Sequence, residues 1–496
     1  MLYRSTRNSN SRYSAAEVIL QGLAPDGGLF TPVEIPLFTQ WESLLELSYS
    51  GRAAALMQPY LDGFSEEEIN AFCTAAYDSG RFDHPSVAPL RRLTKSLFFL
   101  ELWHGPTCAF KDMALQILPH LMRGAAAKNR DTAQRLILTA TSGDTGKAAL
   151  EGFRDIPGTR IVVFYPVDGV SEIQKKQMVT QEGSNVHVIA IRGNFDAAQS
   201  GVKEIFADGE LAAALAARGY KFSSANSINW GRLVPQIAYY FSAYLDLVRE
   251  REIRAGEPVD FVVPTGNFGN ILAGFYARQM GLPLRKLICA SNENNVLTDF
   301  INSGCYDRNR PFHCTISPSM DILISSNLER LLFELGGRDP LKVKRWMEEL
   351  KNTGRYEIDP QTHKAVKDFF EAGYATEEET YAAISRTYRE HNYLIDPHTA
   401  VARAVYDKIY GEAGNEVKTV IISTASPFKF NASVALAVLG KDRVDGCTEF
   451  GLLELLSKTT GIAVPPGLSG LEAKEVLHPM VIHREQMKEV LLDLLP

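Results

Sequence analysis

Seven short apolar runs recur along the chain with helical stretches between them, and this alternation constrains the fold more than any single motif. They cover residues 97–102, 136–140, 160–165, 186–191, 259–264, 287–290 and 419–423. Strands covered on both faces read as continuous apolar runs, and the helices that cover them also connect parallel neighbours. Segments 147–153, 197–217, 271–280 and 400–409, and one beginning at Ser171, carry that helical character. The pattern predicts an α/β fold with parallel sheets covered on both faces. The first hundred residues differ, reading as short helices and turns. Asp26-Gly27-Gly28 marks a turn, Pro32 and Pro36 punctuate an extended stretch, and Ser65 caps a helix over 65–76 ahead of Glu66, Glu67 and Glu68. The charged stretches 249–257 and 338–356 read as exposed helices and joins. Segments 300–390 and 441–496 offer nothing assignable to chemistry.

Composition narrows the function. A chain of 496 residues, 45% hydrophobic, can bury an ample core and divide into roughly two to four domains. A net charge of −7 without a basic stripe argues against a nucleic-acid partner. Cys73, Cys108, Cys289, Cys305, Cys314 and Cys447 are scattered and form no Cys-x-x-Cys pair, so neither a metal site nor a disulfide framework is expected. That usage fits a reducing cytoplasm. The start lacks the apolar run of a signal peptide, and no stretch approaches the roughly 18 apolar residues of a membrane span. A cytoplasmic protein without a membrane partner is expected.

The chemistry centres on Lys111, within His104-Gly105-Pro106-Thr107-Cys108-Ala109-Phe110-Lys111-Asp112. Ala109, Phe110, Met113 and Ala114 make its surroundings apolar, and burial lowers a lysine's pKa toward the neutral amine that imine formation needs. Gly266, Asn267, Phe268, Gly269 and Asn270 join a strand to a helix, where backbone amides and a helix N-terminus converge on an anion. They lack both the Gly-Lys-Ser/Thr ending of a nucleotide loop and the Gly-x-Gly-x-x-Gly spacing of dinucleotide binders. Ser142, Gly143, Asp144 and Thr145 form a second strand-to-helix loop, with hydroxyls and amides suited to a carboxylate. Asn226, Ser227 and Arg232 offer amide, hydroxyl and guanidinium donors within seven residues, a mix suited to phosphate. Thr424 closes the last clear strand, and His398 stands at the start of a helix, where capping is the simpler role. One buried amine beside several anion cradles is what pyridoxal 5′-phosphate and an anionic amino-acid substrate require.

These motifs resemble those of the threonine synthase family, pyridoxal-phosphate enzymes of fold type II. The residues carrying the resemblance are 104–112, Thr141-Ser142-Gly143-Asp144-Thr145-Gly146, Asn226-Ser227-Ile228-Asn229, Pro264-Thr265-Gly266-Asn267-Phe268-Gly269-Asn270 and the N-terminal Leu23-Ala24-Pro25-Asp26-Gly27-Gly28-Leu29-Phe30. The resemblance runs from the start to about Lys429. It implies two open, mostly parallel sheets enclosing the cofactor, with an N-terminal extension domain over 1–95. A catalytic core over 96–440, a smaller domain nested at about 105–225, and a helical tail over 441–496 follow.

The resemblance also implies roles. Lys111 would be the Schiff-base lysine and Gly266 to Asn270 the cradle for the cofactor phosphate. Thr424 would face the pyridine nitrogen. Ser142, Gly143, Asp144 and Thr145 would cup the substrate carboxylate and the cofactor 3′-oxygen, where the wider superfamily carries Asn in place of Asp144. Asn226, Ser227 and Arg232 would hold the substrate phosphate. The implied reaction turns O-phospho-L-homoserine and water into L-threonine and phosphate, in a monomer or homodimer. Two rivals are a phospho-lyase or serine/threonine dehydratase giving a 2-oxo acid, and a non-catalytic binding protein on the same fold. A phosphate-binding arginine disfavours a plain dehydratase, and an intact lysine and phosphate loop disfavour the non-catalytic protein.

Overall fold

In the computed structural model of the protein, all seven apolar runs are strands, distributed over two sheets. The structure describes residues 1–78, 80–411 and 414–495, so Ser79, Glu412, Ala413 and Pro496 lie outside the described residues. The larger sheet has the order Phe370–Tyr374, Leu284–Ser291, Val259–Pro264, Thr419–Ser423, Leu97–Glu101, Leu90–Arg92. Its pairs are parallel except the last, where Leu90–Arg92 runs antiparallel at the edge. The smaller sheet has the order Val481–Ile482, Val186–Ile191, Thr159–Pro166, Gln134–Ala140, Tyr220–Ser223 and is parallel throughout. Every residue of Leu97–Glu101, Val259–Pro264 and Thr419–Ser423 is buried, which is why their sequences do not alternate.

The 20-residue helix Trp230–Arg249 runs through the centre of the molecule and is buried from Trp230 to Leu247. It packs against the helices Gly269–Gln279 and Tyr49–Met57. Arg52 of the N-terminal region reaches it through a buried ion pair with Asp246, 2.8 Å apart. Removing either partner of such a pair would leave an uncompensated buried charge.

The N-terminal region is not only helices and turns. Tyr3–Ser5, Asn8–Tyr13 and Phe30–Pro32 form a three-stranded antiparallel sheet. These strands are short, and one is almost wholly polar, so no apolar period announces them. The helix expected over 65–76 is observed as Glu66–Cys73, with a reciprocal capping box between Ser65 and Glu68, continued by a wider turn over Thr74–Asp78. The segment expected as a helical tail also departs from helix. Val481–Ile482 adds an edge strand to the smaller sheet, and Met487 packs against Gly201.

Helix Asp144–Phe153 lies so close to helix Asp112–Leu115 that a Cβ built on Gly152 would overlap the Leu115 carbonyl oxygen. Because the obstacle is backbone, a side chain there cannot simply turn aside. Gly152→Ala therefore destabilises the protein by about 3 kcal/mol, read as a lower urea midpoint at unchanged slope.

Candidate active site

Lys111 follows a turn built by its own motif. Asp112 folds back to accept the Thr107 backbone N–H and hydroxyl, each at 2.8 Å, and Cys108 takes a left-handed φ of 59°. The turn is then fastened to the end of Thr419–Ser423. Phe110 N–H donates to the Thr424 carbonyl at 2.8 Å, and Ser426 N–H donates to the Cys108 carbonyl at 3.0 Å. Lys111 and Thr424, remote in sequence, are thereby neighbours. Lys111 is 9% exposed, with Nζ 3.3 Å from Asp144 Oδ2 and 3.1 Å from Ser319 Oγ.

Asp144 opens the helix Asp144–Phe153, where the helix N-terminus favours its charge. Its carboxylate also accepts Gln174 Nε2 at 2.8 Å and pairs with Lys429 Nζ at 2.9 Å. Lys429 is 1% exposed and gives a second bond to the Thr107 carbonyl at 2.8 Å. Two lysines thus share one carboxylate. Burial lowers the Lys111 pKa; Asp144 opposes this, while Lys429 and Arg232 reinforce it. Burial works against ionised Asp144, yet Lys429 and Lys111 hold its carboxyl well below the usual range. The result is a stable carboxylate next to an amine biased toward its neutral form.

At the motif's start, His104 lies between Asp83 Oδ1 at 2.5 Å and Glu101 Oε2 at 2.8 Å. Burial would lower its pKa, but bonds to the two carboxylates raise it from 6.5 to about 9. Such a group stabilises the fold fully below its unfolded value and loses that contribution as pH rises through its folded value. Unfolding free energy should fall by about 3 kcal/mol as pH rises through this window, and His104→Gln should flatten the slope.

The two remaining loops meet through residues with no legible sequence signal. Asn327 Nδ2 donates to the Asn267 carbonyl at 3.0 Å and to the Ser227 carbonyl at 3.3 Å. Buried Arg330 donates to Asn327 Oδ1, to the Ile228 carbonyl and to the Phe30 carbonyl, at 2.5, 2.5 and 2.8 Å. The N-terminal extension, the Asn226 loop and the glycine loop are therefore one assembly. A Cβ on Gly266 would stand 2.6 Å from the Ser319 carbonyl oxygen, so the glycine loop also abuts the turn beside Lys111.

Individual placements qualify the sequence expectations. Phe268 sends its ring into the core and contributes a left-handed backbone turn at φ 64°. Asn270 is buried, its Oδ1 accepting the Tyr239 and Tyr240 hydroxyls at 2.6 and 2.8 Å, while Nδ2 has no partner. Asn267, Ser142 and Asn226 are exposed, and Thr145 and Ser227 are half-buried. Gly143, at φ 138°, faces Gln174 so closely that a Cβ would stand 2.6 Å from its amide carbon. Arg232 is 3% exposed and donates one bond, to the Ala225 carbonyl at 2.8 Å, while its Nε has no partner. No carboxylate among the described residues pairs with it, and burial pushes its pKa down to about 10.

Sequence reasoning missed Ser319, Gln174, Lys429, Asn327 and Arg330. Only Lys429 had a cue: like Lys111, it sits between aromatic and small residues just past a buried strand, in Ser426-Pro427-Phe428-Lys429-Phe430. The residues present fit pyridoxal phosphate. Asn270 Nδ2 and Arg232 Nε are buried donors awaiting acceptors, which bound anions would supply, and Lys111 is a buried amine biased toward neutrality.

Comparison with known proteins agrees. Residues 83–425 match the family model of pyridoxal-phosphate dependent enzymes, and residues 2–77 match that of the threonine synthase N terminus. Threonine synthase of Pseudomonas aeruginosa is 41% identical over 448 residues, 89% of this chain and 91% of that one. Human threonine synthase-like 1 is 39% identical over 486 residues, 96% of this chain, which spans 63% of that relative's length. The crystal structure of pyridoxal-phosphate-bound threonine synthase from Brucella melitensis superposes with a TM-score of 0.88 at 38% identity, covering 100% of this chain and 99% of that one. On its lysine motif, its sheets and its relatives alike, the chain belongs to the threonine synthase family of pyridoxal-phosphate-dependent enzymes.

Proposed function

We propose that the protein converts O-phospho-L-homoserine and water to L-threonine and phosphate. The observation that carries this reading is Arg232, a buried guanidinium without a carboxylate partner among the described residues, close enough to Lys111 for its charge to depress the amine's pKa. A buried unpaired cation is costly to keep, and a doubly charged phosphoryl group on the substrate would compensate it.

Pyridoxal phosphate, when bound, supplies an electron-withdrawing ring conjugated to the substrate's amine. Lys111 is the amine that would hold it. The backbone amides of Gly266 to Asn270 would bind its phosphate, with Asn270 Nδ2 a further donor, and Thr424 would face its pyridine nitrogen. Ser142, Gly143 and Thr145 would receive the substrate carboxylate. Asp144 would not, because its ionised carboxylate repels another. Asp144 instead holds Lys111 and Lys429, and would stand near the cofactor 3′-oxygen. Asn226, Ser227 and Arg232 would bind the substrate phosphate. Freed by the substrate's own amine, Lys111 Nζ would move the protons at Cα, Cβ and Cγ as phosphate leaves Cγ and water enters at Cβ.

The same proposal includes a division into 1–95, 96–440 with a nested unit at about 105–225, and 441–496. It also includes a cytoplasmic location, supported by six free cysteines. A monomer or a homodimer is part of the same proposal. Purified protein incubated with pyridoxal phosphate and O-phospho-L-homoserine should release threonine in step with phosphate. Phosphate with 2-oxobutyrate would make it a phospho-lyase, and no phosphate would defeat the proposal.

A further inference from the structure

We propose that Asp396 and His398 are positioning residues for Lys111, acting through Ser319; this rests on the reading of Lys111 given above. His398 is 2% exposed, and its Nε2 accepts the Ser319 backbone N–H at 3.1 Å. An accepting Nε2 fixes the tautomer: the ring proton is on Nδ1, which donates to Asp396 Oδ1 at 2.8 Å. Asp396 is fully buried and is itself the cap of helix Pro397–Tyr410, accepting the His398 backbone N–H at 2.9 Å. The ring is further held edge-on to Phe430, with centroids 4.8 Å apart. A capping role alone needs only Asp396. It does not explain why the imidazole is aimed at a different segment.

The target of that aim is the turn Pro318–Met320. Ser319 Oγ donates to Asp144 Oδ2 at 3.2 Å and accepts from Lys111 Nζ at 3.1 Å. Lys111 Nζ donates a second bond to Asp144 Oδ2 at 3.3 Å. A neutral amine has two hydrogens and one lone pair. With both hydrogens committed, one to Ser319 and one to Asp144, the lone pair has a single direction left to point. His398 is the group that holds Ser319 where it can take its share. Loss of the His398–Ser319 bond frees one hydrogen, lets the amine rotate, and blurs the direction from which it attacks an aldehyde.

Two substitutions separate the imidazole's two bonds. His398→Gln places a carbonyl oxygen near the position of Nε2 and can still accept from Ser319. His398→Asn mimics Nδ1 and keeps only the link to Asp396. With the full chain and added pyridoxal phosphate, the rate at which the visible lysine-bound cofactor absorbance appears should stay within about threefold of wild type for Gln and fall about tenfold for Asn. Ser319→Ala should fall as far as Asn, and the double variant Ser319→Ala/His398→Asn no further. Equal rates for Gln and Asn, or effects of Asn and Ser319→Ala that multiply, overturn the proposal. If wild type itself shows no such absorbance, the functional reading fails instead. The pairing is then decided in cofactor-free protein by amide exchange at Ser319, which must be faster in Asn than in Gln; equal exchange overturns it.

Discussion

Lys111→Ala abolishes turnover, lowering kcat/KM by on the order of 10⁴-fold or more, while the protein stays folded. The two halves of this expectation have separate causes. Activity is lost because the one amine that would both hold the cofactor and carry protons is gone. Folding survives because the variant simplifies the charge cluster. Asp144 keeps Lys429 at 2.9 Å and Gln174 at 2.8 Å, and the competing second lysine disappears. Lys429 cannot stand in, since its Nζ is already committed to Asp144 and to the Thr107 carbonyl. Phosphate release and the visible absorbance with added pyridoxal phosphate test the first half, and urea unfolding tests the second. Turnover within tenfold of wild type would remove Lys111 from the chemistry.

Arg232→Met should act in opposite directions on function and stability. If Arg232 binds the substrate phosphate as proposed, its loss removes that group's countercharge, and kcat/KM for O-phospho-L-homoserine should drop by on the order of 100-fold, mostly through KM. The free protein, by contrast, exchanges an unpaired buried cation with an orphaned Nε for an apolar side chain of similar length. The lost bond to the Ala225 carbonyl offsets only part of that relief, so unfolding free energy should rise by about 1 kcal/mol. Arg232→Lys should recover little activity, because a lysine cannot reproduce the planar fork. Steady-state kinetics with varied substrate and urea titrations of the free protein read the two effects. A variant that is less stable with unchanged KM would make Arg232 a structural residue.

The sequence by itself determined the elements whose cause is local. The seven apolar runs became strands because a strand buried on both faces needs no partner to declare itself. Ser65 announced its helix because a cap is satisfied within one turn. Lys111 was legible because the residues beside it in the chain, Ala109, Phe110, Met113 and Ala114, are apolar. What surrounds Lys111 was decided by tertiary structure alone. Ser319 lies 208 positions away and Lys429 meets the Thr107 carbonyl across 322, distances no local pattern encodes. The short N-terminal strands and Val481–Ile482 are strands only because a neighbour supplies their hydrogen bonds. Asn270 looked like a phosphate ligand by type, yet the hydroxyls of Tyr239 and Tyr240 decide which way its amide faces. Residue type and spacing state which groups can bind an anion. Which of them are buried and unpartnered depends on closing loops hundreds of residues long, and only the folded chain does that.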